Sequence, residues 1–157
     1  MQQFAEQYAA LEREVQELTS ALCAESCALC SSCCCRADLC EEALNSPFLS
    51  MLHRRDFLVS DAYGFLSETG CVLDAGRPPV CYEFFCDELL NNFDERQCDM
   101  LRKLGALPMR AGLVDEDLHI ADLNSFARID FSKLNQQLDD AFATLEEIKN
   151  FFGGVTA

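Results

Sequence analysis

The sequence predicts a mainly α-helical domain. Two long amphipathic terminal helices pack around a short, irregular, cysteine-rich metal-binding middle that carries a small hairpin. Three observations lead there. Phe4, Tyr8, Leu11, Val15, Leu18 and Leu22 recur at alternating intervals of four and three, an apolar seam along one helix face. Phe131, Leu134, Leu138, Ala141, Leu145, Ile148 and Phe152 repeat the pattern near the other end. Between them, all of the eleven cysteines but Cys98 fall within positions 23 to 86 of the 157-residue chain. A chain of this length can bury roughly 70% of its unfolded surface, so one domain, 1–157, is expected. Its metal-binding core is expected over 23–86, flanked by helices at 1–22 and 130–153.

Asp130 is positioned to cap the second long helix, and Gly153-Gly154 to stop it. Two seams of similar length suit packing against each other, and equally suit pairing across a homodimer. Ser46-Pro47 opens a shorter helix, an N-cap followed by proline in the first turn. Leu58 to Leu73 reads as a hairpin turning at Ser67-Glu68-Thr69-Gly70. Gly76-Arg77-Pro78-Pro79 is a rigid connector, because consecutive prolines exclude helix interior and inner strand. Phe84 to Phe93 holds a helical turn or two. Asp94 with Gln97 forms a capping box that opens a helix ending at Gly105. Ala106 to Asn124 is weakly patterned and is assigned as loop.

The charge balance narrows the partners. Asp and Glu number 27 against 12 Lys and Arg, a formal charge of −15. Such a surface repels nucleic-acid phosphates and anionic lipid, keeps the chain soluble, and suits a basic protein partner. No apolar run reaches the ~20 residues of a membrane span. The first residues lead into a helix studded with Glu6, Glu12, Arg13 and Glu14, unlike a signal peptide. A cytoplasmic location is expected.

In a reducing compartment, clustered thiols act as metal ligands. The odd count and the adjacent Cys33-Cys34-Cys35 are also awkward for ordinary disulfides. Cys27-x2-Cys30-x2-Cys33-Cys34 has the two-residue spacers that let a tight turn present successive sulfurs to one point. Three such cysteines and a remote one, from Cys71, Cys81 and Cys86, suffice for one zinc ion or one [4Fe–4S] cluster. Cys23, Cys35 and Cys40 are accessory candidates. Cys98 falls in line with Leu101 and Leu104 and reads as core.

Cys27-x2-Cys30-x2-Cys33-Cys34, a following Gly70-Cys71-Val72-Leu73 and then Arg77-Pro78-Pro79-Val80-Cys81 together resemble the YkgJ-type CxxCxxCC family, described as zinc- or iron-chelating proteins. The resemblance covers about residues 23 to 86. It implies that Cys27, Cys30, Cys33 and Cys34 are ligands, with Cys71 and Cys81 as later ones. Cys86 matches a further downstream cysteine that some members have. Ser31 stands where the family often has glycine, and Cys35 is an addition. The same signature occurs in the much longer flagellin lysine methylases, which are linked to an iron–sulfur cluster. Six or seven candidate ligands exceed the four that one zinc requires, which favours iron–sulfur over zinc.

Other residues carry weaker signals. His53, in His53-Arg54-Arg55-Asp56, sits where cations suit a helix C-terminus; His119 is at most an accessory ligand. No hydrolytic triad, phosphate loop or catalytic residue is identifiable. Arg77 suits both pairing with a thiolate-rich centre and bracing the proline turn. Tyr82, Phe84 and Phe85 suit a hydrophobic wall around that centre. Metal or cluster binding with a redox, cluster-handling or chelating role is therefore expected. The alternatives are a cluster-dependent group-transfer enzyme, which needs a cavity beside the metal, and a closed structural zinc module that binds a basic partner.

Overall fold

Helix α1 runs Gln2–Ala28 in a computed structural model of the chain, which describes residues 1–28, 37–53, 64–67 and 70–153. It extends beyond the expected 1–22, so Cys23 and Cys27 stand on a helix and not in an irregular segment. The physical reason is local. Cys23-Ala24-Glu25-Ser26-Cys27 contains no glycine or proline to stop the helix, and Ala and Glu favour its continuation. At the other end, α8 spans Phe131–Gly153, and the backbone N–H of Ser132 donates to Asp130 Oδ1 at 3.0 Å, as the expected cap requires.

The two seams meet. Phe4, Tyr8, Leu11 and Val15 on α1 are buried with Leu134, Leu138, Ala141, Leu145, Ile148 and Phe152 on α8, and Leu18 and Leu22 pack at the edge of the same core. Each of the leucine, isoleucine, valine and phenylalanine side chains contributes about 1.5–3 kcal/mol on burial, so this interface is a main source of cohesion. Lys149 Nζ reaches Glu14 at 2.6 Å across it, but both groups are partly exposed and the pair adds little.

Shorter elements surround α1. Helices α2 (Ala37–Asn45) and α3 (Pro47–Leu52) follow it, with Ser46 Oγ accepting from Leu49 N at 3.2 Å as the N-cap. Strands β1 (Leu66–Ser67) and β2 (Gly70–Cys71) form the central antiparallel hairpin, with Leu66 opposite Cys71 and Ser67 opposite Gly70. The expected start of that hairpin, 58–63, and its turn residues 68–69 lie outside the described residues. Helices α4 (Val80–Glu83) and α5 (Asp87–Leu90) lead to α6 (Glu95–Gly105). The capping box is present: Gln97 N donates to Asp94 Oδ1 at 2.8 Å, and Asp94 N donates to Gln97 Oε1 at 2.9 Å. Gly105 allows α4 to lie on α6, because a β-carbon there would stand 2.3 Å from the Tyr82 carbonyl oxygen.

The segment expected to be loop, 106–124, is ordered. Helix α7 (Leu107–Ala111), strands β3 (Leu113–Asp115) and β4 (Leu118–His119), and a 3-10 turn at Ile120–Asp122 fill it. Each piece is too short to show a period, and buried polar contacts hold them. The Tyr8 hydroxyl donates to the Pro108 carbonyl at 3.0 Å, and Ala121 N donates to His119 Nδ1 at 3.0 Å. Among the described residues, no helix is long and apolar enough to cross a membrane.

Two stability changes should follow. Leu145→Ala, at a fully buried seam position, should cost about 2–5 kcal/mol in urea unfolding. Asp94→Ala should cost about 1 kcal/mol through the lost cap.

Candidate metal centre

The helical period sorts α1 into two faces. Beside the apolar seam runs a second stripe of Glu12, Gln16, the adjacent Thr19 and Ser20, Cys23 and Cys27, one helical turn apart. All of these but Glu12 line a cavity of about 340 Å³ at the C-terminal half of the helix. The opposite wall is drawn from one later stretch: Arg77, Cys81, Tyr82, Phe84, Phe85, Cys86 and Leu89. Four cysteines from two distant parts of the chain thus face one space.

Their environments differ. Cys23 is buried, Cys86 half-buried, and Cys27 and Cys81 lie at the exposed mouth. Burial pushes the Cys23 thiol up to about 11, and neighbouring charge on Cys27 and Cys86 adds to that effect. Cys23 is thus a protonated thiol at neutral pH, and a metal ion binding there must displace its proton. Soft thiol donors suit zinc and iron. Among the described residues, no three His, Cys, Asp or Glu side chains close on a single point as they would around an ion. Cys30, Cys33, Cys34 and Cys35 lie outside the described residues.

The connector holds the second wall in place. Gly76 adopts φ +80°, and a β-carbon there would meet His53 Cδ2 at 2.6 Å and the Leu49 carbonyl oxygen at 2.7 Å. Its N–H donates to Glu12 Oε2 at 2.5 Å, and its carbonyl accepts from His53 Nε2 at 2.9 Å. Arg77 donates from Nε and Nη2 to the Leu73 carbonyl at 3.1 and 2.6 Å, and its guanidinium lies 5.9 Å from the Tyr82 ring centre. Arg77 therefore braces the turn and also faces the thiols. At the outer end, Asn92 Nδ2 donates to Ser26 Oγ at 2.9 Å, tying α1 to the residues after α5.

Glu12 is the unexpected member. It has no exposed surface, and burial raises its carboxyl to about 8. The Gly76 amide, Arg77, the nearby Tyr82 hydroxyl and Arg13 oppose that rise. Glu12 Oε1 and the Tyr82 hydroxyl are both buried without a closed hydrogen bond. Tyr82 is itself held well above its ordinary value by burial and by Glu12, so it stays protonated.

The other candidates lie elsewhere. Cys40 Sγ accepts from Phe65 N at 3.4 Å, and Cys71 sits on β2; both pack against the core at the hairpin and are absent from the cavity lining. Cys98 is buried and its thiol donates to the Leu90 carbonyl at 3.3 Å, a core role. His53 is the C-cap residue of α3, and His119 is buried as the cap of the 3-10 turn. No family model, curated protein or solved structure matches the chain.

The buried acid sets a pH dependence. Folded Glu12 keeps its proton to about pH 8, whereas the ordinary value is 4.5. The folded state therefore binds more protons between these values, and stability falls as pH rises through that window. Relative to Glu12→Gln in the same metal state, wild-type stability should decline by up to about 1.4 kcal/mol per pH unit. Urea midpoints at pH 5, 6, 7 and 8 measure it, and parallel curves would refute the assignment. Gly76→Ala should cost about 1–3 kcal/mol through its backbone conformation, with a larger loss if His53 cannot yield.

Proposed function

We propose that the chain is a cytoplasmic, thiolate-based metal-binding protein with a redox or cluster-handling role. Its centre forms at the cavity between α1 and the Cys81–Cys86 wall. The observation that supports this most is the meeting of Cys23 and Cys27 with Cys81 and Cys86 around one space. Cys27 is also the first cysteine of the Cys27-x2-Cys30-x2-Cys33-Cys34 run, so the sequence-predicted ligands begin at the cavity mouth. In this proposal Cys30, Cys33 and Cys34 complete the ligand set, consistent with the YkgJ-type resemblance. The number of thiols favours an iron–sulfur cluster over a single zinc.

A cavity beside the thiols supports an accessible centre over a closed structural zinc, whose four positions the protein itself fills. Tyr82, Phe84 and Phe85 form part of the wall, and such shielding tunes the potential and lability of a cluster. Arg77 supplies positive charge that offsets a thiolate-rich, net negative centre.

Elemental analysis and an absorption spectrum on protein purified without oxygen test the proposal. Iron with acid-labile sulfide and broad visible absorption is expected. Zinc without colour would retain the metal site and remove the cluster. Cys81→Ser with Cys86→Ser should lose most of the bound metal, whereas Cys98→Ser should keep it. A folded, metal-free wild type after aerobic and anaerobic preparation alike would overturn the proposal.

A further inference from the structure

Helix α4 can turn only part of itself inward. Gly105 on α6 lets the two helices approach, and a β-carbon there would stand 2.3 Å from the Tyr82 carbonyl oxygen and 3.0 Å from Phe85 Cε2. Tyr82 is buried and Phe85 packs against the core, so those rings take the inward positions of this turn. Val80, Cys81, Glu83 and Phe84 are left facing water. Phe84 is 60% exposed and Val80 41%, and among the described residues no large apolar side chain is more exposed than Phe84. Phe84 also lines the thiol cavity, and the exposed Cys81 and Cys27 stand at the same mouth. The cavity therefore opens through an apolar lip.

The charge around this lip has one sign. Residues 15–28 and 78–93 supply most of the two walls. They carry Glu17, Glu25, Glu83, Asp87 and Glu88, all exposed, and no Lys or Arg. The next cation along the chain, Arg96, lies over the Phe151 ring, 5.2 Å from its centre, and Arg77 is anchored on the Leu73 carbonyl. An aromatic anchor with a charged rim is the layout of a protein-docking surface: partner contact desolvates the anchor, and the rim selects the partner. The sign of the rim decides the occupant. Nucleic acid and anionic lipid are repelled. A second copy related by a two-fold axis would set these carboxylates against themselves. A surface with Lys and Arg around an apolar side chain complements both parts of the lip.

We propose that the lip formed by Val80 and Phe84 is a docking surface for a basic protein. An apolar side chain of the partner covers Phe84, its cations face Glu83, Asp87 and Glu88, and its surface closes the mouth over Cys27 and Cys81. That the partner delivers or takes a metal centre there rests on the function proposed above; the docking surface itself does not.

Two peptides test it: a dye-labelled, lysine-rich peptide with two central leucines, and the same peptide with serines in their place. Each would be titrated with the full-length protein as purified, of measured metal content, and followed by fluorescence anisotropy at low and physiological salt. The leucine peptide should bind several-fold more tightly, and both should weaken as salt rises. Phe84→Ser should remove the preference for leucine. Glu83→Lys with Asp87→Lys should weaken binding several-fold. Asp139→Lys with Glu147→Lys, the same charge change at exposed positions of α8, should weaken it little. Circular dichroism checks that each variant is folded.

Absence of a leucine preference in the wild type, a preference that Phe84→Ser keeps, or equal losses from the two charge reversals overturns the docking surface. Metal bound in the same preparation then leaves the metal function standing. A dimer seen by light scattering and abolished by Phe84→Ser makes a second copy the occupant, and overturns the basic partner. The expected pattern in a protein that holds no metal however it is prepared supports the docking surface and removes the metal hand-over.

Discussion

Helix α1 has to satisfy two partners at once, and the rest of the structure depends on how it divides them. Its seam from Phe4 through Leu22 is committed to α8, which fixes the rotation of the helix about its own axis. Once that rotation is fixed, the stripe from Glu12 to Cys27 faces the connector and the wall from Cys81 to Leu89. The thiol cavity is a consequence of core packing, placed by leucines that never touch it. A change that rotated α1 by one residue would turn Cys23 and Cys27 away together.

The cavity has an electrostatic gradient along its length. At the mouth, Cys27 and Cys81 meet water. Deeper in, Cys23 is desolvated, and past Gln16 the stripe ends at a carboxyl with no exposed surface. Arg77 stands between the two ends, stacked near Tyr82 and anchored on the Leu73 carbonyl. Arg77 therefore faces the thiols on one side and the buried carboxyl behind Gln16 on the other.

The two long helices were legible because several consecutive apolar positions repeat the same interval, and tertiary packing had no reason to override them. The Asp94–Gln97 capping box and the Ser46-Pro47 start were legible because each is a local hydrogen-bonding device written within four residues. The ordered segment after Ala106 was not, since Tyr8 and His119 hold it through contacts that join distant positions. Cys27 was a candidate by spacing, Cys81 and Cys86 as remote cysteines that the resemblance also picks out, and Tyr82, Phe84 and Phe85 by composition, and all of them line the cavity. Cys23 received less weight because the apolar seam ends at Leu22, although the helix continues and its period places Cys23 beside Cys27. Cys40, a candidate by its closeness to the run, and Cys71, a remote candidate that the resemblance picks out, pack against the core and do not line the cavity. Glu12 was hidden by its neighbours, for Arg13 and Glu14 make position 12 look like part of a solvated run.

The two walls of the cavity come from the end of α1 and from residues 77 to 89, with α2, α3 and the hairpin between them in the chain. Whatever bridges these walls closes a long loop, and the entropy of that closure is already spent once the chain has folded. A ligand joining them is therefore a crosslink as well as a cargo. It would suppress the local openings that expose α4 and α5 while leaving the α1–α8 interface as it was. Loading and unloading would then be legible in hydrogen exchange as a change confined to one side of the molecule, with no shift in the other.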